Sequence, residues 1–501
     1  MADADAIVIG SGPNGLVAAA HLARAGMRVL VLEAARVPGG AARTAELTLP
    51  GYAHDVGAAF FPFGEVSPAL VPLALGEVGL RFRHAEVDSA HPAPDGTCAA
   101  IARDPDATAR AFGVDGDRFR EIQRWITREH ASLLPALLGS FPAIGAGLAM
   151  GVDNGLTLAS IAMHSGRSFG SRFQSEAARR VVPGLGLHAD VGPDDSFGAV
   201  VGFMLAALAS CAGFPVAEGG AGSITSALQR RVEEHGGEIV CGTHVDEILV
   251  HQGRAVAVRT SEGEEIAAKR AIVADVGAPA LYLKMLARAH VPARLVRSME
   301  RYPYAWGTFK MDWALDGPVP WKIPICRRSA VVHVGDSVDD LARFTREVRA
   351  GKLPARPYLV IGQQSLCDPT RAPAGKHVLY GYTHVPSYLE GGWAAHREAF
   401  ADSIEERLEE LAPGFRALVA ARSIHAPPDL EAMNENLVGG DLGGGTAQIT
   451  NQLCFRPSFP WFGHRTPVRG LYLGSSYAHP GTGVHGACGW NAAMAALADA
   501  G

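Results

Sequence analysis

Cysteine is scarce. The 501 residues hold seven, Cys98, Cys211, Cys241, Cys326, Cys367, Cys454 and Cys488, with no Cys-x-x-Cys pair among them. That spacing excludes a zinc ribbon and a dithiol redox pair, and an odd set of scattered thiols fits a reducing compartment. Charge is sparse too: 19% of residues are charged, the formal net charge is −6 and no basic cluster occurs, which excludes nucleic acid as the main partner. With 48% hydrophobic residues the chain is not intrinsically disordered. Met1-Ala-Asp-Ala-Asp-Ala lacks the basic n-region and cleavage site of a secretory signal, so a cytoplasmic location is expected. Internal repeats, low-complexity tracts, Ser-His-Asp logic and metal-ligand spacing are all missing, so no metal is expected. What is plentiful is glycine, at 59, with 32 prolines, which implies many tight turns and close backbone approaches. The length suggests roughly three folding units or two large interleaved ones.

Two stretches carry no charge at all, Ala131 to Val152 and Ser196 to Ala217. Either could cross a bilayer by length, but both are interrupted by glycine and proline. A buried helix, a wall of an apolar tunnel, or a segment dipping into one leaflet fits that composition better.

The first sixty residues carry the strongest motif. Ala6-Ile-Val-Ile-Gly10 reads as a buried parallel strand, Gly10-Ser-Gly12-Pro13-Asn14-Gly15 as a glycine turn, Leu16 onward as an alanine-rich helix, and Met27 to Leu32 as a second strand ending at Glu33. Gly10 permits the sharp turn, Gly12 brings the pyrophosphate onto the backbone and Gly15 lets helix meet strand, while the helix N-terminus offers free N–H groups to phosphate. Glu33 is placed to accept from the adenosine ribose, and its charge opposes a 2′-phosphate.

Val37-Pro-Gly39-Gly40-Ala-Ala-Arg43-Thr44 and Pro50-Gly-Tyr-Ala-His-Asp55-Val-Gly57 follow, where an NAD domain would continue into another helix and strand. On these motifs the chain resembles the phytoene desaturase and carotenoid isomerase flavoproteins, within the amine-oxidase-like superfamily, and is nearest to the phytoene-dehydrogenase-related branch. The resemblance implies FAD as cofactor. Many such proteins read Gly-Gly-Arg after the ribose-binding acid. Here the third residue is Ala41, and Arg43 is the candidate substitute beside Gly40. The resemblance recurs at Gly213 to Val276 and at Gly470 to Ala500. It implies that Val245 meets adenine through its backbone, and that the turn Gly474-Ser-Ser-Tyr-Ala-His479-Pro-Gly-Thr-Gly483-Val484-His485 closes over the flavin with backbone donors.

The resulting fold class is α/β. A discontinuous Rossmann-like FAD-binding domain is expected from residues 1–70, 213–285 and 430–501. An α+β substrate domain with a mixed sheet and helices is expected from 71–212 and 286–429. Helices are expected at Asp115–Glu129, Ile224–Glu234 capped by Ser223, Pro292–Glu300 and Ala395–Leu411. Strands are expected near Arg301–Leu315, His377–His384, Ile266 onward and Ala271–Val276.

The implied chemistry is hydride transfer from a lipophilic, polyene-like small molecule to flavin N5, as in a desaturase or dehydrogenase. Three alternatives stand: an amine oxidase with a cage from Tyr477 and Trp490, a redox-neutral isomerase using reduced FAD, and a non-catalytic flavoprotein interaction module. His479 and His485 are the catalytic candidates. His188, Asp190, Lys310, Asp312 and Trp490 are further polar or wall candidates, and Cys488 is a candidate for covalent flavin attachment. Lacking a second G-x-G-x-x-G, the chain is expected to return electrons to oxygen or a quinone. Peripheral membrane contact is expected of a protein admitting a hydrophobic substrate. Oligomeric state is not legible.

Overall fold

The expected strand, glycine turn and helix form at Ala4–Ile9 and Pro13–Arg24, followed by a second strand at Val29–Glu33. The computed structural model describes residues 4–500. Around this unit runs a parallel layer whose strand order is Leu471–Leu473, Glu265–Ala274, Ala4–Ile9, Val29–Glu33 and Glu238–Cys241. The Glu265–Ala274 strand belongs to two arrangements. Its first half pairs antiparallel with Arg254–Thr260, which in turn pairs with Val245–His251. Its burial follows suit: exposed and buried residues alternate up to Lys269, and Ala271 to Ala274 are buried throughout. One face is solvated in the antiparallel part and both are covered in the parallel part. The two strands expected at Ile266 and Ala271 are therefore one.

Three helices cover one face of this layer: Pro13–Arg24, Gly222–Glu234 and Ala487–Ala500. The first and last touch closely enough that a Cβ on Gly489 would sit 1.8 Å from the Asn14 carbonyl oxygen. Ser223 does not cap its helix. The helix starts at Gly222, and the Ser223 hydroxyl donates instead to the Glu218 carbonyl at 2.6 Å.

The second sheet has seven strands in the order Val419–His425, Gly307–Leu315, His377–Val385, Leu359–Gly362, Ser329–Val334, Val87–Pro92 and Cys98–Ile101. Ser329–Val334 pairs in parallel with Val87–Pro92 and every other pairing is antiparallel, so the sheet is mixed as expected. Beside it lie the helices. Gly116–Leu138 runs past the end expected at Glu129, and Ala199–Cys211 carries the second charge-free stretch. The first charge-free stretch breaks into the end of Gly116–Leu138 and the short helix Ile144–Met150 and ends on the first residue of Val152–Ala162, the two short helices being bent by 104°. Among the described residues no single helix is long and apolar enough to cross a membrane, whereas this bent pair passes that test jointly by length and composition.

Candidate active site

One cavity of about 1670 Å³ dominates the described residues, and both sheets contribute to its wall. A pocket for one drug-sized ligand encloses roughly 300–1,000 Å³, so this one has room for a dinucleotide and a second molecule.

The glycine turn forms one end. Gly10, Gly12, Pro13, Asn14, Glu33, Gly40, Arg43 and Val245 all line it. Gly10 has φ +92°, and a Cβ on Gly15 would lie 2.2 Å from the Gly10 carbonyl oxygen, so Gly15 serves helix–strand packing and stays off the wall. At Gly12 the close neighbour is a side chain: a Cβ would lie 2.6 Å from Oδ2 of Asp275. Glu33 is fixed in place, with Oε2 accepting from the Ser11 backbone N–H at 2.8 Å and hydroxyl at 2.6 Å, and Oε1 from Ala35 N–H at 2.8 Å. Arg43 donates from Nε to the Gly40 carbonyl at 2.8 Å, which leaves the rest of its guanidinium on the cavity wall.

The C-terminal turn closes over the same space. His479, Gly483, Val484 and His485 line it, but Gly474 does not. Gly474 N–H donates to the Ala274 carbonyl at 2.8 Å, and a Cβ there would strike Val273 at 2.8 Å. Gly474 thus joins strand to strand, and the wall begins at Ser475. Burial holds both histidines neutral, with pKa values down at about 4, and for each the Arg456 charge pushes the same way. Ala487 N–H donates to His485 Nδ1 at 3.0 Å. The neutral ring therefore carries its proton on Nε2, which has no protein partner, and His479 Nδ1 is also unpartnered. Buried polar atoms without partners mark a place for a polar ligand.

Beyond the turns the cavity changes character. The wall drawn from Ile126 to Phe214 contains both charge-free segments and no Asp, Glu, Lys or Arg; its polar members are His130 and His188. His188 opens a buried chain of hydrogen bonds. Tyr382 Oη, also on the wall, lies 3.2 Å from His188 Nδ1, and His188 Nε2 meets His333 Nε2. Ser89 Oγ then bridges His333 Nδ1 at 3.1 Å and His91 Nε2 at 2.9 Å. Desolvation drives all three histidines to the neutral form, His188 and His91 to about 3 and His333 well below its usual range. Neutral imidazoles satisfy this chain by alternating donor and acceptor nitrogens in either of two directions. His188 was foreseen. Ser89, His91 and His333 were not, because they stand on two strands more than two hundred positions apart and adjoin only through the Val331–Ser89 register.

Other sequence candidates lie elsewhere. Asp190 is buried, accepting from the Thr446 hydroxyl and from Ala447 N–H at 2.7 Å. Lys310 and Asp312 form a sealed ion pair with 1% and 0% of their side chains exposed, off the main cavity. Burial lifts Asp312 to about 6 even so. Cys488 is buried against the Ala478 and Gly481 carbonyls, its thiol pushed up to about 12, and it does not reach the wall, so covalent attachment to a flavin in the cavity has no geometric basis. Trp490 packs 6.4 Å from the His21 ring, outside the cavity, so it forms no cage with Tyr477. Tyr477 does line the wall, its ring tilted against Tyr302 and edge-on to Tyr304.

Against known families, the model of the flavin containing amine oxidoreductases matches residues 14–497. The chain belongs to that family. It is a member of a flavin-dependent oxidoreductase superfamily, and its cofactor is FAD, the flavin whose dinucleotide suits the glycine turn and Glu33. Pyridine nucleotide-disulfide oxidoreductase domain-containing protein 2 of Mus musculus is 28% identical over 99% of this chain and 93% of its own length. A neurosporene-forming phytoene desaturase of Cereibacter sphaeroides is 27% identical over 99% of this chain and 95% of its own. Among solved structures, an oxidoreductase from Methanosarcina mazei shares the fold with a TM-score of 0.64 at 17% identity, covering 98% of this chain and 99% of that one. The residues present fit the cofactor: Gly10 and Gly15, where a Cβ would strike backbone, Gly12 on the wall between them, a fixed glutamate, and the unpartnered imidazole nitrogens at the opposite turn.

Proposed function

We propose that this family member is a dehydrogenase, or desaturase, of a neutral and elongated lipophilic molecule. The observation that carries the reading is the Ile126 to Phe214 wall, which offers such a molecule apolar surface and no ionised side chain. An amine, cationic at neutral pH, would meet no carboxylate there, and an unpaired charge in such surroundings is strongly disfavoured. The phytoene desaturase relative, by its name, acts on a hydrocarbon, and the same class is our proposal here.

Bound FAD supplies a two-electron acceptor. The protein's share is different. Gly10, Gly12, Pro13, Asn14, Glu33 and the adenine-side Val245 would hold the dinucleotide, and the 475–485 turn would present to it the neutral ring of His485, a donor at Nε2, and that of His479. The Leu133–Leu138 and Ala199–Cys211 walls exclude water and align the chain of the substrate. When a C–H bond yields its hydride and a neighbouring C–H yields its proton, a double bond forms and the proton has to leave a dry cavity. The Tyr382 hydroxyl, which burial keeps protonated, can take it only by passing its own proton to His188 Nδ1, from where the hydrogen-bonded chain leads on to His91. Reoxidation of bound FAD would fall to oxygen or a quinone.

We further propose that the substrate arrives from a lipid surface. The bent helices Ile144–Met150 and Val152–Ala162 line the cavity with Gly147, Met150 and Leu158, and turn Ile144, Leu148, Val152 and Leu156 outward at 65% to 79% exposure. Phe141 at their base meets Phe462, which stacks on the exposed Phe459, so the apolar surface continues onto the neighbouring loop. Asp153, Thr157 and Ser160 are exposed on the second helix as well, so the outward face is amphipathic, which suits shallow insertion into one leaflet.

The test is anaerobic mixing of purified holoprotein with a long polyene hydrocarbon and, separately, with aliphatic amines. Bleaching of the flavin band by the hydrocarbon alone is expected. Bleaching by amines alone would overturn the reading.

A further inference from the structure

Asp275 follows the Glu265–Ala274 strand, and its backbone N–H donates to the Ile9 carbonyl at 2.8 Å, which aims the side chain at the glycine turn. Oδ2 accepts from Gly15 N–H at 2.8 Å and so occupies one of the first-turn donors of the dinucleotide-binding helix. The turn is shaped around this residue: a Cβ on Gly10 would lie 2.9 Å from the Asp275 carbonyl oxygen, and one on Gly12 2.6 Å from Oδ2. Oδ1 has no hydrogen-bond partner among the described residues, and the side chain is part of the cavity wall. No lysine or arginine described forms an ion pair with it. The charged and titratable groups that act on it are Glu33, which adds negative charge, and the Cys488 thiol, which stays neutral.

The pyrophosphate of FAD brings two more negative charges to this turn. An ionised Asp275 on the same turn would repel those charges. The neutral acid removes that repulsion and turns Oδ1 from an acceptor into a donor.

We propose that Asp275 is a specificity residue of the dinucleotide cradle that binds FAD as the neutral acid, Oδ1–H donating to the cofactor, so that FAD binding is linked to uptake of one proton. Desolvation lifts this carboxyl to about 7, and Glu33 pushes it further up against the pull of Gly15 N–H, so the apoprotein ionises it just where the effect can be read. The inference rests on the cofactor alone, and its failure leaves the substrate reading untouched.

The experiment is FAD binding to the full-length apoprotein, followed by flavin fluorescence and by calorimetry in two buffers of different ionisation enthalpy. In the wild type Kd is expected to be flat below pH 7 and to rise about tenfold per pH unit above it, about 30-fold by pH 8.5. Calorimetry should count close to one proton taken up at pH 8.5. Asp275→Asn keeps the shape and a donor without the titration, so its Kd should change less than threefold over the same range, with no proton uptake and tighter binding than wild type at pH 8.5. A wild-type Kd independent of pH, no proton uptake, or an Asp275→Asn slope equal to wild type would each overturn the proposal. The wild-type proton count decides the matter even if the variant does not fold.

Discussion

Replacing Leu148 and Leu156 together by serine tests the lipid-facing role of the bent helices most directly. Full burial of a leucine side chain is worth about 1.5–3 kcal/mol. Leu148 is 79% exposed and Leu156 65%, so most of that gain is still available to a bilayer. Taking about 1.5 kcal/mol for each, the pair contributes about 3 kcal/mol to partitioning, and the double variant should bind vesicles about 150-fold more weakly. Folding should be nearly untouched, because exposed positions change stability by about 0.5 kcal/mol or less. The assay is sedimentation with phosphatidylcholine vesicles over a range of lipid concentrations, with thermal melting as the control. If the wild type does not partition, or the variant partitions within twofold of it at an unchanged melting temperature, the helices do not serve as the anchor.

Ser89→Ala removes the bridge between His333 and His91; with a bleaching substrate in hand, the reductive step should slow by about a hundredfold while the substrate Kd holds, since a positioned acid or base is commonly worth 10²–10⁴-fold. An unchanged rate would leave the histidine chain a purely structural element. Gly489→Ala forces a Cβ to 1.8 Å from the Asn14 carbonyl and should cost about 1–3 kcal/mol of overpacking, read as a lower unfolding midpoint together with weakened FAD retention. The neutral histidines make a pH prediction. His479 and His485, at about 4, and His188 and His91, at about 3, lie below the unfolded value of 6.5. The unfolded chain therefore binds more protons between those limits, so their stabilising contribution is complete above pH 6.5 and drains away as pH falls from there toward 3–4, by up to about 1.4 kcal/mol per pH unit for each. Urea unfolding midpoints measured at pH 7, 6 and 5 should fall at each step, and a flat series would contradict the neutral assignment.

How far the sequence could be read depended on whether the signal was local. Strand, turn and helix at Ala4 to Arg24 are contiguous, and their glycines have steric reasons that hold in any context, so that unit and its cofactor class were legible. An apolar tunnel was one of three uses the two uncharged stretches allowed, beside buried core and leaflet contact, and it took the cavity to select it. Contacts across the sheets were not. Asp275 read as the end of a buried strand, and nothing near it in sequence announces that it faces Gly12 and Gly15. Ser89, His91 and His333 look like ordinary strand residues until register places them together. Cys488, Trp490 and Gly474 belong to the correct motif but point or pack away from the cavity, a matter of helical phase that the spacing of the glycines does not fix. Ser223 satisfied the composition of a cap, yet the helix began one residue earlier and its hydroxyl turned back to Glu218.

The parallel layer around the cofactor end also dictates an order of events during synthesis. Its outer strand, Leu471–Leu473, the helix Ala487–Ala500 that seats on Pro13–Arg24, and both imidazoles of the closing turn are made after the other parts of the cradle. The glycine turn and Glu33 emerge before them and must wait, with a strand edge at Ala4–Ile9 open until Glu265–Ala274 arrives. A complete cradle for FAD therefore exists only once Ala487–Ala500 has been made. The nascent protein needs shelter for that edge in the meantime, and a transcript that stops short of Gly470 yields a product with half a cradle.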